Sequence, residues 1–213
     1  MNNTTLIFIP TYNERENVEP LTERLDKLKL DSDILFLDDN SPDGTGKILD
    51  ELSRRFPRLS VLHGKGKFGI GNAHKEGIRY AYRKGYSTLI TMDCDFTHSP
   101  EDIPRFLNNA KNHDIVVGSR YLQNNSLHGW NLYRKTMTTL GHFLTKNMLG
   151  LGYDATGAFR LYHLSSITPQ TFDFVYSNGY SFFFESLFIL HHNGYAIKEI
   201  SIVLPLEHTV IQK

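Results

Sequence analysis

The feature that most constrains this chain is an alternation, through its first half, of short apolar runs with amphipathic stretches of helical period. Residues 6–9, 33–37, 60–62, 88–92 and 115–117 read as strands, being rich in β-branched and apolar side chains. Between them, residues 14–28, 44–55, 71–84 and 100–111 read as helices, with Asn13 or Asn17 to cap the first and Ser41 or Asp43 the second. Parallel neighbours need a crossover, normally a helix, so regular alternation implies an α/β fold. Its mostly parallel sheet is covered by helices on both faces. Such sheets bind ligands beyond the carboxyl ends of their strands.

That rule expects polar clusters at strand ends, and three are present. Pro10-Thr11-Tyr12-Asn13-Glu14 follows the first run, Asp38-Asp39-Asn40-Ser41 the second, and Asp93-Cys94-Asp95 the fourth. The second half reads differently. Residues 130–149 carry Leu132, Tyr133, Met137, Leu140, Phe143, Leu144 and Met148 at helical spacing, and residues 180–191 include Phe182, Phe183 and Phe184. No repeat or linker divides the 213 residues, a length that supports one core, so a single domain is expected.

Lys+Arg and Asp+Glu both number 23, so no general field invites a nucleic acid, and phosphate must be met by placed cations. The lone cysteine, Cys94, excludes an internal disulfide. No leader pattern opens the chain, and no apolar run approaches the roughly 18 residues of a spanning helix. The expectation is a cytoplasmic protein that does not cross a membrane.

Carboxylates two apart on a strand point the same way, so Asp93 and Asp95 suit one hard divalent cation; the alternative is a pair of acids capping the helix after Pro100. Oxygen ligands favour Mg2+ or Mn2+ over zinc. At the second strand end, Asp39 is read as a hydrogen-bond acceptor for a nucleoside, while Asp38 is equally suited to turn chemistry. The stretch 64–71, Gly-Lys-Gly-Lys-Phe-Gly-Ile-Gly, is either an anion-seeking helix start or a solvated loop. It lacks the Gly-Lys-Ser/Thr ending of an ATPase loop, and its glycines follow the third strand, not the first as in the dinucleotide fingerprint. Arg120 and Arg134 are candidate phosphate ligands or surface ion-pair partners. No serine or cysteine nucleophile arrangement stands out, and the histidines lack metal-ligand spacing.

Taken together, these segments resemble the family 2 inverting glycosyltransferases of the GT-A (Rossmann-like) fold, and among them the dolichyl-phosphate and polyprenyl-phosphate mannose synthases. The resemblance rests on residues 10–17, 38–46, 93–101 and 117–121, on Trp130 with Arg134, on Asp154 to Arg160, and on Gly179-Tyr180 with Glu185. It implies transfer of a sugar, mannose from GDP-mannose, to a dolichyl or polyprenyl phosphate with inversion. Pro10, Tyr12, Glu14, Leu37, Asp39, Asp93, Cys94, Asp95, Arg120 and Lys213 would then hold the nucleotide sugar. Asp93, Asp95 and Thr97 would hold Mg2+ or Mn2+, and Asp93, Asp95, Arg120 and Arg134 would serve catalysis, Arg134 nearest the lipid phosphate. The 130–149 helix would lie in the membrane interface, where a membrane partner subunit is a further expectation. The rival donor is a UDP-sugar such as UDP-glucose.

The last residues depart from the family. Residues 1–205 read as the catalytic domain, whereas 206–213 put Glu207 where the resemblance expects an arginine. A reading frame displaced by one base converts the ending Ala-Arg-Thr-His-Gly-His-Thr-Lys into residues 206–213. This tail is therefore read as the product of a frameshift or truncation, and an inactive nucleotide-sugar-binding protein is the rival of another class.

Overall fold

The structure is a computed structural model that describes residues 2–67, 69–122 and 150–203. Among these residues seven strands form one sheet: β1 (Asn2–Thr11), β2 (Ser32–Asp38), β3 (Leu59–His63), β4 (Tyr86–Thr91), β5 (Ile115–Ser119), β6 (Arg160–His163) and β7 (Ile197–Ser201), in the order β3-β2-β1-β4-β6-β5-β7. Among the described residues five helices pack on it: α1 (Val18–Lys27), α2 (Thr45–Arg55), α3 (Ile70–Lys84), α4 (Ile103–Asn109) and α5 (Ser181–His192). Short 3-10 turns extend α4 at both ends, at Pro100–Asp102 and Ala110–Asn112.

Side chains alternate across each strand, and both faces of this sheet are buried. Ile7 and Ile9 of β1, with Ile34 and Phe36 of β2, face Val18, Leu21 and Leu25 of α1 and Leu49 and Leu52 of α2. Leu6, Phe8, Leu35 and Leu37 face the other way, into a core shared with Ile78 of α3 and Phe182 and Leu187 of α5. Burying each such side chain is worth roughly 1.5–3 kcal/mol, so the pattern fixes the register as well as the fold. α3 lies unusually close to the sheet, because a Cβ at Gly77 would stand 2.8 Å from the Phe8 ring.

Strands β1 to β4 run parallel in a common register, with Thr11 beside Asp38 and Asp38 beside His63. Their polar sequels therefore emerge at one edge. β6 runs antiparallel between β4 and β5, pairing Arg160 with both Thr91 and Val117. This reversal brings the loop that precedes β6, residues 154–159, to the edge where the other strands end.

The sequence places strands β1 to β5 within a few residues, β1 and β2 running longer than expected, and leaves β6 and β7 unassigned. α1 begins at Val18, not near residue 14, because residues 13–17 form a turn tied to the second strand loop. Asn17 is its N-cap but bonds Glu14 instead of the helix amides, and α2 is capped by Gly44 with Asp43 accepting from the Thr45 amide. Arg134, Trp130, Lys213, the 130–149 helical pattern and the 206–213 tail lie outside the described residues. Among the described residues, no helix is long and apolar enough to cross a membrane.

Candidate active site

At the carboxyl edge lies a cleft of about 790 Å3, a volume suited to a nucleotide-sized ligand. Its walls come from the loops after β1, β2 and β4, the start of α3, Arg120 after β5, the loop before β6, and Gly179-Tyr180 before α5.

The β1 and β2 loops brace each other. Asn13 donates its amide to the Ser41 hydroxyl, Glu14 its amide to Thr45 Oγ1, and Arg15 its amide to Asp43. Asn13 and Asn40 adopt left-handed backbone with φ of 60°, a conformation asparagine tolerates better than most residues. Asp38 is buried and accepts from the Ser41 hydroxyl and amide, so it builds the turn. Asp39 lines the cleft and accepts from the Gly69 amide at 3.2 Å. The anion met by this helix start is thus a carboxylate of the chain itself, while the Gly71 amide bonds the Asn178 carbonyl.

After β4, Asp93 and Asp95 both open to the cleft, on either side of the buried Cys94. Burial pushes the Asp93 carboxyl above its ordinary value; Asp95's charge adds to the rise and Arg120 opposes it. Its side chain nevertheless keeps 36% of its surface open. Glu14 is raised as well, first by burial, against an Asn17 hydrogen bond, and then by the charges of Asp95, Asp93 and Asp43. Burial and the same carboxylates push the Cys94 thiol up, which keeps it protonated and a poor nucleophile.

Two details hold the β4 loop in shape. Thr97 donates both its amide and its hydroxyl to Asp95 Oδ1, at 3.0 and 2.6 Å, orienting that carboxylate. Phe96, between them, has a left-handed φ of 61°, a conformation that costs a bulky residue about 1–3 kcal/mol. Its ring is buried in the core beneath, which offsets that cost. His98 Nδ1 accepts from the Asp93 amide at 2.9 Å, which fixes the neutral tautomer with its proton on Nε2. Its approach of 3.6 Å to the Asp93 carboxylate is therefore not an ion pair.

Arg120 is bound within the chain. Its Nε and Nη2 donate to the two oxygens of Asp154 at 2.8 and 3.2 Å, and Nη2 also reaches Thr156 Oγ1 at 2.8 Å. Asp154 is 1% exposed and receives the Arg120 and Thr156 amides too. Burial alone would lower the Arg120 pKa, but Asp154 outweighs it and keeps the guanidinium charged. The loop that supplies Asp154 and Thr156 is in turn held by the fully buried Arg160, which donates to the Ala155 and Gly157 carbonyls and to Ser186. Glu185 accepts from the Tyr176 and Ser177 amides and shapes the loop before Gly179.

Of the residues singled out in the sequence, the cleft gathers Pro10, Tyr12, Glu14, Asp39, Asp93, Cys94, Asp95, Thr97 and Arg120. Leu37 lies in the core instead, its carbonyl accepting from Thr11 Oγ1. Asp154, Thr156 and His98 were given no role from the sequence. Asp154 stands in a stretch that carried the resemblance, but its partnership with Arg120 spans 34 positions and has no local signal.

The fold and cleft define a GT-A glycosyltransferase: a mostly parallel sheet with paired carboxylates after its fourth strand. The chain belongs to Glycosyl transferase family 2, whose sequence profile matches residues 6–168. It is 35% identical over 201 residues to a polyprenol monophosphomannose synthase of Mycolicibacterium smegmatis, covering 93% of this chain and 76% of that protein. It is 36% identical over 198 residues to an undecaprenyl-phosphate mannosyltransferase of Micrococcus luteus, covering 92% and 82%. The fold resembles glucosyl-3-phosphoglycerate synthase from Mycobacterium tuberculosis, solved with Mn2+, UDP and glucosyl-3-phosphoglycerate. The TM-score is 0.67 at 15% identity, over 94% of this chain and 70% of that one. It also resembles the mannosyltransferase PcManGT from Pyrobaculum calidifontis, solved with GDP-Man and Mn2+. There the TM-score is 0.58 at 14% identity, over 95% and 57%.

Proposed function

We propose that this chain transfers mannose from GDP-mannose to a polyprenyl phosphate, inverting the anomeric carbon, with Mg2+ or Mn2+ at Asp93 and Asp95. The observation that carries this reading is the pair of carboxylates opening into a cleft walled by the loops after β1, β2 and β4. The names of two relatives that each align with more than nine-tenths of the chain supply the sugar and the acceptor class.

The residues present suit a hard divalent cation. The donors are carboxylate oxygens; Asp93 and Glu14 are raised first by burial and then by neighbouring carboxylates, and a bound cation would oppose both effects. No group of three or more His, Cys, Asp and Glu is gathered for a metal among the described residues. Two carboxylates plus substrate phosphates are the usual complement for magnesium. Thr97 acts here through Asp95, which it orients. A bound cation would supply charge neutralisation of the departing diphosphate.

Pro10, Tyr12, Glu14 and Asp39 face the part of the cleft assigned to the nucleoside. Arg120, fixed by Asp154 and Thr156, sets a permanent positive charge beside Asp93. A phosphate acceptor is already anionic near neutral pH, so attack needs orientation more than a strong base. The acceptor's lipid chain places the reaction at a membrane surface.

The test is transfer of radiolabelled mannose from GDP-mannose to a short polyprenyl phosphate, with and without Mn2+, beside Asp95→Ala. We expect metal-dependent labelling that falls by about a thousandfold in the variant. Labelling from UDP-glucose but not GDP-mannose would overturn the donor. Nucleotide binding without any transfer would mark this chain as a binding protein.

A further inference from the structure

Lys67, in the basic glycine-rich loop before α3, lines the cleft. Its ammonium stands 3.8 Å from the centroid of the Tyr12 ring, while the lysine itself is exposed. Tyr12 is half-buried and presents its ring to the same cleft. An aromatic face of this kind is a platform for a nucleobase, and a base and an ammonium cannot share it.

The charges around the cleft give that lysine a second position. Glu14, Asp39, Asp93 and Asp95 line it against Lys67 and Arg120. Arg120 is committed to Asp154 and Thr156 by several short hydrogen bonds. A cation–π contact at an exposed site is weak by comparison and readily exchanged. Lysine, a flexible stem ending in a point charge, suits such a change better than the planar guanidinium.

We propose that Lys67 is a two-position residue: it covers the Tyr12 platform in the empty cleft, and moves to the donor's phosphates when a base takes its place. This rests on the reading of the cleft as a nucleoside diphosphate site. The same residue then penalises a bare nucleoside, which must displace the ammonium without offering it a phosphate. It favours a diphosphate, which offers both exchange partners at once. Discrimination of donor from nucleoside follows from that single exchange.

The experiment compares Lys67→Met, which keeps the length and loses the charge, with Lys67→Arg and the wild-type full chain. Calorimetric titrations use guanosine and GDP, and uridine and UDP, in the presence of Mn2+. We expect Lys67→Met to bind the cognate diphosphate about tenfold more weakly, as loss of one charge-assisted contact implies, and to bind its nucleoside as well as or better than wild type. Lys67→Arg should retain most of the diphosphate affinity. Equal weakening of nucleoside and diphosphate would mean that Lys67 only props Tyr12, and would overturn the exchange; so would no change in either. A wild-type chain that binds neither diphosphate would instead reject the functional reading underneath.

Discussion

Asp154 and the Asp93–Asp95 pair stand at the same edge of the sheet and are built in opposite ways. Asp154 is 1% exposed and surrounded by donors: the Arg120 amide, Nε and Nη2, and the Thr156 amide and hydroxyl. Asp95 receives Thr97 on one oxygen, and among the described residues Asp93 has only the long His98 approach. One carboxylate is satisfied by the fold and fixes a cation. The other two are left short of positive charge where the cleft opens, which is how a protein reserves a place for a ligand.

If that contrast holds, Asp154→Asn should unfold the chain more readily. Neutralising one partner of a nearly buried pair leaves the other uncompensated, at a cost of about 3 kcal/mol, readable by urea denaturation. Transfer should fall with it, because Arg120 loses its setting. An Asp154→Asn protein of wild-type stability would break the comparison.

A second imbalance lies in the core and serves no cleft. His74 is fully buried among Phe8, Phe182 and Phe183, and its Nε2 has no hydrogen-bond partner among the described residues. Burial lowers its pKa to about 3, with the Arg160 charge adding to the effect. The unfolded chain takes up a proton below about pH 6.5 that the folded chain refuses. Stability is therefore full above that value and is lost as the pH falls toward 3. His74→Phe should remove about 2 kcal/mol of the stability difference between pH 7 and 5, measured by denaturant melts at both. An unchanged slope would show that His74 is matched in solution.

The smallest expected effect sharpens the role of Thr97. Thr97→Val keeps the shape and removes the hydroxyl that orients Asp95, so Mn2+ affinity should drop about tenfold with little change in stability. A loss as large as that of Asp95→Ala would make Thr97 a direct ligand.

Much of this cleft was legible because a parallel strand delivers its polar sequel to a known edge. That rule located the polar clusters after β1, β2 and β4, and the family resemblance supplied their roles. The loop from Asp154 to Thr156 escaped it because β6 is antiparallel, and such a strand brings the residues before it, not after it, to the same edge. Nor does local pattern reveal β6 itself, a four-residue strand that opens on an arginine. Arg120 shows the same limit: its residue type suggested phosphate, and only the packed loop reveals its carboxylate partner.

The sequence by itself determined the layered α/β architecture and the edge where chemistry belongs, because side-chain period and strand polarity are local properties that burial on two faces makes unambiguous. Tertiary structure decided which charges are spent inside the protein and which face a ligand. That choice depends on residues 34 positions apart meeting across a sheet, with burial strengthening each pair that forms and raising the pKa of the Asp93 carboxylate that opens to the cleft.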